Sequence, residues 1–248
     1  MDDLYMRGIR PSSIGSIDTS YFDNFKIAPD YQYMLEHPSI SQYLMALGQL
    51  NLVKKLGVNL DDVKEFASKN DSVGGPELCT IEEGFMCSCA SMRYTAHSIL
   101  AIRHFLQFSN EIDIVEVGGG YGGLALAFHF FAPKMGLTIK SYTIVDLPSP
   151  VKLQAKYLEK MGVTNIGFSD AATYGSELPD GLFLVSNYAF SEFSEKIRTC
   201  YEKVLFPKLR HGYMLWNNTP LYDFGFEYKA TPEAEITIAT EGNFHVTF

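Results

Sequence analysis

Basic residues are scarce in this chain of 248 residues. Lys and Arg number 20 against 29 Asp and Glu, which gives a formal net charge of −9 and a pI near 5.1. Nucleic-acid-binding surfaces obtain much of their affinity from Lys and Arg side chains that displace counterions from phosphates. The composition therefore argues against a nucleic-acid partner.

Long apolar runs are also missing. No stretch approaches the roughly 18 to 20 apolar residues that a membrane-spanning helix needs. The opening residues MDDLYMRGIRPSS lack the apolar core of a signal peptide. We therefore expect no membrane span and predict a cytoplasmic protein.

Cysteine is sparse, with four residues in the chain, and three of them crowd into the segment LCTIEEGFMCSC. Two interpretations exist: a metal site made by Cys79, Cys87 and Cys89 with His97 as fourth ligand, or free thiols in a reducing compartment. Structural zinc sites usually use pairs separated by two to four residues, and the C-x-C spacing here does not fit that rule. We predict free thiols and no metal.

Apolar residues make up 46% of the chain, which is enough for one α/β domain with an added segment. From about residue 111 onward, strand-like and helix-like stretches alternate, which predicts a parallel sheet with helices on both faces. Two final strands without room for a helix between them predict an antiparallel hairpin at the sheet edge. The predicted strands are 112–117, 139–146, 164–168, 182–187, 211–217, about 226–229 and about 235–248, and the helices between them are 121–132, 149–161 and 191–206.

The N-terminal part has a different sequence pattern. Residues 1 to 38 are polar and aromatic without a clean period, which predicts an irregular arm or lid. A helix is predicted from Ser39, as N-cap, to Gly57, with Ile40, Tyr43, Leu44, Leu47, Leu50 and Val53 on its buried face. Further helices are predicted at 60–69 and 88–108. We divide the chain into an N-terminal arm and helical extension, 1–85, and a core domain, 86–248.

A glycine-rich loop follows the first strand of the core, in the segment DIVEVGGGYGGLALAF, residues 113 to 128. Gly118, Gly120 and Gly123 fit the dinucleotide-binding pattern G-x-G-x-x-G. Glu116, Gly118, Gly120 and Gly122 also fit E-x-G-x-G-x-G, which resembles motif I of S-adenosylmethionine-dependent methyltransferases. In both cases glycines without Cβ let the backbone approach a ligand at a helix N-terminus. The loop alone is therefore compatible with either cofactor, a dinucleotide such as NAD or S-adenosylmethionine.

Polar residues at the ends of the following strands separate these possibilities. Asp146 ends the second strand, where a carboxylate can accept the hydroxyls of either cofactor's ribose. Asp170 and Ala171 follow the third strand at the positions that meet adenine in methyltransferases, although a turn Asp exposed to solvent is the alternative. Ser186 and Asn187 end the fourth strand, where open α/β sheets bind ligands. We expect them to face a methyl-transfer centre, which a hydride-transfer enzyme would not need.

Three segments together resemble the sugar O-methyltransferase family: IVEVGGGYGGLA, YTIVDLPSPVKLQAKYL and LVSNYAFSEFS. The likeness covers about residues 85 to 220. It implies a Rossmann-like, seven-stranded class I methyltransferase fold that binds S-adenosylmethionine and releases S-adenosylhomocysteine. It also implies that Arg93, in CASMRYTAHSI, reaches the cofactor carboxylate. The implied cofactor-binding residues are Arg93, Glu116, Gly118, Gly119, Gly120, Tyr121, Gly122, Asp146, Leu147, Asp170, Ala171, Ser186 and Asn187.

The acceptor implied by this resemblance is a hydroxyl of a sugar: a deoxysugar such as rhamnose, a nucleotide-sugar or a glycan. A sugar hydroxyl attacks poorly while protonated, so a base should help. Glu192, just after the fourth strand, is the first candidate, with a helix-start carboxylate as the alternative. His245 on a late strand is the second candidate. A methyltransferase for another small molecule, an NAD-dependent oxidoreductase and a nonenzymatic scaffold remain as rivals.

Overall fold

The computed structural model describes residues 19–32, 39–236 and 242–248. Nine α-helices lie in these ranges. Short 3₁₀ turns occur at Phe25–Ile27, Ala171–Thr173, Phe206–Lys208 and Glu233–Glu235. The α-helices are α1 (Thr19–Asn24), α2 (Pro29–Tyr31), α3 (Ile40–Lys55), α4 (Leu60–Asp71), α5 (Cys89–Phe105), α6 (Gly123–Lys134), α7 (Pro148–Lys160), α8 (Ala189–Glu192) and α9 (Glu195–Val204).

The strands form a hairpin and a seven-stranded sheet. The hairpin joins β1 (Cys79–Glu82) and β2 (Phe85–Cys87), and the sheet runs in the order β5-β4-β3-β6-β7-β9-β8. In this sheet β9 runs opposite to the other six strands. The strands of the sheet are β3 (Glu111–Val117), β4 (Thr138–Asp146), β5 (Gly167–Asp170), β6 (Leu182–Asn187), β7 (Leu209–Trp216), β8 (Lys229–Pro232) and β9 (Phe244–Thr247).

This sheet confirms the predicted fold class, including the antiparallel pair at its edge. A dinucleotide-binding sheet is parallel throughout in its usual strand order, whereas here β9 is reversed and inserted between β7 and β8. That arrangement is the one that the resemblance in the sequence implies. The sequence placed the last two strands too early and made the final one too long, because Gly242 and Asn243 precede β9 as irregular backbone.

Each face of the sheet has its own apolar core. One core joins α5, α6 and α7 to the sheet and includes Ile99, Phe128 and Tyr157. The other core lies under α8 and α9 and includes Phe190 and Trp216. Strands β3 and β6 run between these layers and are buried over most of their length, as expected for central parallel strands.

The described part of the arm differs from the irregular segment that we predicted. Residues 19–32 contain two helices, and Phe22, Phe25 and Tyr31 are buried against the same core as α5 and α6. Aromatic side chains bury large areas, so their pattern here reflects packing. The other residues of the predicted arm, 1–18 and 33–38, lie outside the described residues.

Helix α3 begins where the sequence predicted it, and Ser39 caps it by accepting a hydrogen bond from the Gln42 backbone N–H. The predicted buried face was partly wrong, since Ile40 is 80% exposed and Leu44 is 40% exposed. The buried face is rotated toward Ala46, Leu50 and Val53. Tyr43 and Leu47 of the predicted face are partly buried against the core.

The cysteines are free thiols, with 3.9 Å between the sulfurs of Cys79 and Cys89. Within residues 19–32, 39–236 and 242–248, no three His, Cys, Asp or Glu side chains are grouped to hold a metal ion. His97 contacts Asn187 through its Nδ1 atom. In the same ranges, no helix combines the length and apolarity that crossing a bilayer requires.

Candidate active site

The carboxyl ends of the parallel strands bring the predicted site residues to one edge of the sheet. Asp146 and Asp170 are direct partners at the ends of β4 and β5. Asn187 pairs with Leu215, which in turn pairs with His245 on β9. Open α/β sheets bind their ligands at this edge. The structure therefore places acidic groups toward one end of this edge and amide and imidazole groups toward the other.

The glycine loop between β3 and α6 has two glycines that are partly accessible and others that are packed inside. Gly118 and Gly120 have positive φ angles of 77° and 55° and are half-buried. A Cβ at Gly119 would lie 2.7 Å from Ile144, and one at Gly122 would lie 3.0 Å from Leu158, so these two serve internal packing. A Cβ at Gly118 would collide with Ala189.

Gly120 is the open position of the loop. Among the described residues, the only atom near a Cβ placed there is the Tyr94 hydroxyl oxygen, at 3.6 Å. The backbone at Gly120 can therefore be approached by a ligand, and a side chain at this position would stand in the ligand's place. Sequence reasoning did not identify Tyr94, because no pattern in α5 distinguishes it from a core aromatic residue.

Asp146 lies beneath the loop, only 4% exposed. Its carboxylate accepts hydrogen bonds from the backbone N–H of Gly119 (3.0 Å) and of Leu147 (2.7 Å), and from the Gln154 amide (2.7 Å). Burial raises the pKa of this carboxyl to about 6, although the three donors oppose the shift. Two carboxylate oxygens offer about four acceptor positions, so at least one position remains for a ligand hydroxyl.

Gln154 on α7 is a second residue that sequence reasoning missed. Its amide nitrogen donates to Asp146 and also to the carbonyl of Gly120, at 3.1 Å, so it ties the loop to the end of β4. Its Oε1 atom is buried and has no hydrogen-bond partner among the described residues. An unpartnered buried oxygen is costly, and a donor on a bound ligand would remove that cost.

Glu116 lies on β3, two residues before Gly118, and is 1% exposed. It accepts a hydrogen bond from the Tyr142 hydroxyl at 2.8 Å. Burial raises the pKa of Glu116 to about 8, and the nearby Asp146 carboxylate adds to the shift. Glu116 is therefore neutral at pH 7, and its contact with a cofactor stays a prediction.

We expect Glu116→Gln to become more stable than the wild type as pH rises from 5 to 8. Through most of this range the folded protein keeps the Glu116 proton whereas the unfolded chain loses it, so the wild type loses up to about 1.4 kcal/mol of stability per pH unit, and the loss levels off near pH 8. Glutamine does not titrate. Urea unfolding at pH 5, 6.5 and 8 measures the difference, with the exposed Glu111→Gln on the same strand as control. A pH-independent difference would contradict the neutral form.

Tyr121, predicted to contact the cofactor, has a fully buried ring. The ring packs edge-on against Phe25, Tyr94 and Tyr157, and its hydroxyl bonds with the Asn70 side chain. Contact with a ligand is therefore open only to its backbone. The loop is supported from behind by the arm, since the buried Lys26 ammonium lies 4.5 Å from the Tyr121 ring centre.

Ser186 and Arg93 have internal partners. The Ser186 hydroxyl donates to the carbonyl of Val117 at 2.8 Å and joins the ends of β3 and β6. Arg93 is 8% exposed, and its guanidinium donates to the Gln42 side chain on α3 at 3.2 Å. Their cofactor contacts remain predictions, and for Arg93 the partner identified here comes from the N-terminal extension.

At the β5 end of the edge, Asp170 is exposed, and its carboxylate accepts a hydrogen bond from the Ala172 backbone N–H at 2.9 Å. This is the turn geometry of the alternative interpretation, but one carboxylate oxygen stays free for a ligand among the described contacts. Leu147 and Ala171 are half-buried beside it. The three residues line the end of β4 and β5 where the adenine was predicted.

Glu192 is the last residue of α8, a short helix whose first residue, Ala189, would meet a Cβ placed on Gly118. Its Oε1 atom accepts a hydrogen bond from the Asn217 amide at 2.9 Å. Burial raises the pKa of Glu192, and the Asn217 hydrogen bond opposes that shift. Such a carboxylate takes a proton more readily than an ordinary glutamate, and its second oxygen has no hydrogen bond among the described residues, so it can act as a general base.

His245 lies farther along the same edge, and its Nδ1 atom is hydrogen-bonded to the Tyr213 hydroxyl. Burial lowers the pKa of His245 to about 4. An imidazole with such a pKa is neutral at pH 7 but accepts a proton weakly. Among the described residues, no hydrogen bond joins His245 to Glu192. The two catalytic candidates are therefore hydrogen-bonded to different partners: His245 to Tyr213 and Glu192 to Asn217.

Tyr188 is a third residue that sequence reasoning missed. It follows Asn187 with φ of 68°, which is rare for a residue with a side chain. The backbone N–H of Tyr188 donates to the Leu215 carbonyl at 2.8 Å, so β7 holds this conformation. Strained backbone of this kind concentrates at functional sites, and here it turns the chain sharply between β6 and α8.

Comparison with known proteins identifies no family by sequence. No protein-family model matches the chain, and no curated protein matches it. The chain spans about half the length of the first solved structures that it resembles.

Three solved structures illustrate the likeness. The YcgJ protein from Bacillus subtilis is 20% identical with a TM-score of 0.40, over 49% of this chain and 50% of that one. A ribosomal protein L11 methylase from Lactobacillus delbrueckii subsp. bulgaricus is 14% identical with a TM-score of 0.44, over 63% and 77%. PKMT2 from Rickettsia typhi in complex with AdoHcy is 17% identical with a TM-score of 0.40, over 51% and 26%. These values identify neither an activity nor a substrate, and the fold assignment rests on the strand order of the chain itself.

Proposed function

We propose that this chain is an S-adenosylmethionine-dependent methyltransferase that methylates a hydroxyl group of a sugar. The observation that carries the proposal is the order of groups along one sheet edge: the open backbone at Gly120, the buried carboxylate of Asp146 beside it and Asp170 beyond. The reversed strand β9 supports a methyltransferase over an NAD-dependent oxidoreductase.

The residues present fit the cofactor. Gly120 leaves room for close backbone approach to the amino-acid end, Asp146 has an acceptor position for a ribose hydroxyl, and Gln154 Oε1 lacks a donor among the described residues. Asp170 has an exposed oxygen for the adenine amino group. S-Adenosylmethionine supplies an electrophilic methyl group on a positively charged sulfur.

The chain's own contribution to the reaction is to position the acceptor, exclude water and take a proton. Positioning accounts for much of the rate in a displacement of this kind. Glu192 is placed to take the hydroxyl proton, because its pKa is raised and Asn217 holds one of its oxygens in place. Asn187 and Tyr188 border His97, through a contact of 3.3 Å to its Nδ1 atom and a distance of 6.4 Å between ring centres, and their half-buried side chains can contact an acceptor.

Support for a sugar comes from the resemblance in the sequence and from the polar character of this part of the edge. Asn187, Asn217 and Glu192 are half-buried amide and carboxylate groups beside the half-buried ring of Tyr188. Such a combination suits hydroxyl groups together with the apolar C–H face of a sugar ring. A different small-molecule acceptor is the alternative.

Calorimetric titration tests the cofactor assignment. We expect S-adenosylmethionine and S-adenosylhomocysteine to bind and NAD not to bind. Methyl transfer to a panel of monosaccharides, nucleotide-sugars and glycans then tests the acceptor. Binding of NAD alone would contradict the proposal, and binding of S-adenosylmethionine with methylation of a different acceptor class would contradict only its sugar part.

The affinity for S-adenosylhomocysteine should fall below pH 6. Ribose hydroxyls donate to the charged form of Asp146, whose pKa in the free protein is raised to about 6. Protonation at pH 5 should therefore raise the Kd roughly tenfold relative to pH 7. Titrations across this range measure the effect, and Asp146→Asn should bind weakly at both pH values. An equal dependence in Asp146→Asn and wild type would contradict the assignment, and Asp113→Asn, remote from the edge, is the control.

A further inference from the structure

Two histidines form a buried pair to which the proposed reaction assigns no contact with cofactor or acceptor. His97 on α5 and His245 on β9 are each 2% exposed, and their ring centres lie 6.0 Å apart in an edge-to-face arrangement. The Nε2 atom of each ring is buried without a hydrogen-bond partner among the described residues. A buried nitrogen in this state is costly unless a ligand or water satisfies it.

The other nitrogen of each ring is held by a side chain. Tyr213 bonds to Nδ1 of His245, and the Asn187 amide nitrogen lies 3.3 Å from Nδ1 of His97. When the hydroxyl and the amide donate, each imidazole carries its proton on Nε2. The two unpartnered atoms are then hydrogen-bond donors in fixed positions.

Both rings are neutral at physiological pH. Burial lowers the pKa of His97 well below its usual value, and the neighbouring His245 and Arg93 lower it further. Burial alone lowers the pKa of His245. Two neutral N–H donors attract oxygen lone pairs and offer nothing to an ammonium group, which is itself a donor.

The pair lies at the ligand-bearing edge. His245 is in register with Leu215 and, through it, with Asn187 at the end of β6. The ring of Tyr188 is 6.4 Å from that of His97. The histidines therefore border the strand end at which the proposed function places methyl transfer, on the side away from Asp146 and Asp170.

We infer that His97 and His245 form an acceptor-binding site that donates hydrogen bonds from their Nε2 atoms to oxygen atoms of the methyl acceptor. This inference rests on the proposed function and narrows its substrate class to neutral acceptors with neighbouring oxygens, such as the vicinal hydroxyls of a sugar. Protonated amines are excluded by the same donors.

Calorimetry on the complex with S-adenosylhomocysteine tests the site. The probes are methyl α-L-rhamnopyranoside, methyl α-L-fucopyranoside, methyl β-D-glucopyranoside and ZnCl₂. The variants are His97→Leu and His245→Leu, which remove the donor, and His97→Gln and His245→Gln, whose amide can replace it. His129→Leu is the control, because His129 is half-buried on α6 and bonds to the Ala125 carbonyl of its own helix.

At least one glycoside should bind the wild type. In each Leu variant the Kd for that glycoside should rise tenfold or more, while the Kd for S-adenosylhomocysteine should change less than twofold. The Gln variants should recover part of the loss. Glycoside binding that is unchanged in both Leu variants would overturn the inference and leave the proposed function standing, with an ordered water as the partner of the pair. Zinc binding lost in either Leu variant would overturn it in favour of a metal site. Failure of all three glycosides to bind would overturn the inference, whereas the sugar acceptor itself stands or falls with the methyl-transfer panel of monosaccharides, nucleotide-sugars and glycans.

Discussion

Gly120→Ala should abolish measurable binding of S-adenosylmethionine, with a loss of at least about 100-fold in Kd, or about 2.7 kcal/mol. The reason is steric. The Gly120 backbone is the open position of the loop, and a Cβ there would meet only the Tyr94 hydroxyl at 3.6 Å among the described residues of the free protein. The methyl group therefore fits the empty protein but occupies the space through which a ligand would approach the backbone.

The same substitution carries a backbone cost that must be separated from the steric one. Gly120 has φ of 55°, and a residue with a side chain pays about 1 to 2 kcal/mol in this region. Gly57, after α3, has φ of 74°, and a Cβ placed on it would have no atom of the described residues within 4 Å. Gly57→Ala should therefore lose similar stability and keep full cofactor affinity.

Thermal unfolding without ligand and calorimetric titration of both variants make the comparison. If Gly120→Ala bound S-adenosylmethionine as tightly as Gly57→Ala, the loop would not be the binding element. If Gly120→Ala unfolded at a much lower temperature than Gly57→Ala, its loss of binding would reflect the fold and not the site.

The sequence predicted the parts of this protein that depend on local order along the chain. Strand, glycine loop and helix follow one another within residues 111–134, and parallel strands necessarily bring Asp146, Asp170 and Asn187 to one edge. The antiparallel pair at the edge was predicted from two final strands with no helix-like stretch between them, although β8 and β9 lie later in the chain than predicted.

Contacts between distant segments could not be predicted in this way. His97 and His245 are 148 positions apart, and nothing in either segment indicates that a helix before the core and the last strand bring their rings together. The roles of Tyr121 and Glu116 were similarly hidden. A motif indicates which residues lie near the loop. The direction in which each side chain points depends on packing partners, such as Phe25 in the arm for Tyr121 and Tyr142 on β4 for Glu116.

Electrostatics now distinguishes the two catalytic candidates. Glu192 has a raised pKa, which brings its proton affinity nearer to that needed at neutral pH. His245 has a pKa lowered to about 4, so its neutral ring is a hydrogen-bond donor or acceptor and a weak base. We therefore propose proton transfer by Glu192 and acceptor binding by His245.

Glu192→Gln should lower the single-turnover rate of methyl transfer by roughly 10²- to 10⁴-fold at saturating S-adenosylmethionine and acceptor. Glutamine keeps the size of the side chain and can still accept the hydrogen bond from Asn217, but it cannot take a proton. His245→Gln should mainly raise KM for the acceptor. The exposed Glu195→Gln, at the start of α9, is the matched control and should react at the wild-type rate.

The pH profile separates proton transfer from mere positioning of the hydroxyl by Glu192. As pH rises through the Glu192 pKa, the carboxyl loses its proton and becomes able to accept one, so the wild-type rate should increase and then level off. Because burial raises that pKa, the increase should lie above the range of an ordinary glutamate. In Glu192→Gln the residual rate should not show this step. A large loss of rate that leaves the pH profile unchanged would assign Glu192 to orientation, and an intact rate in Glu192→Gln with a collapsed rate in His245→Ala would transfer the base to the histidine.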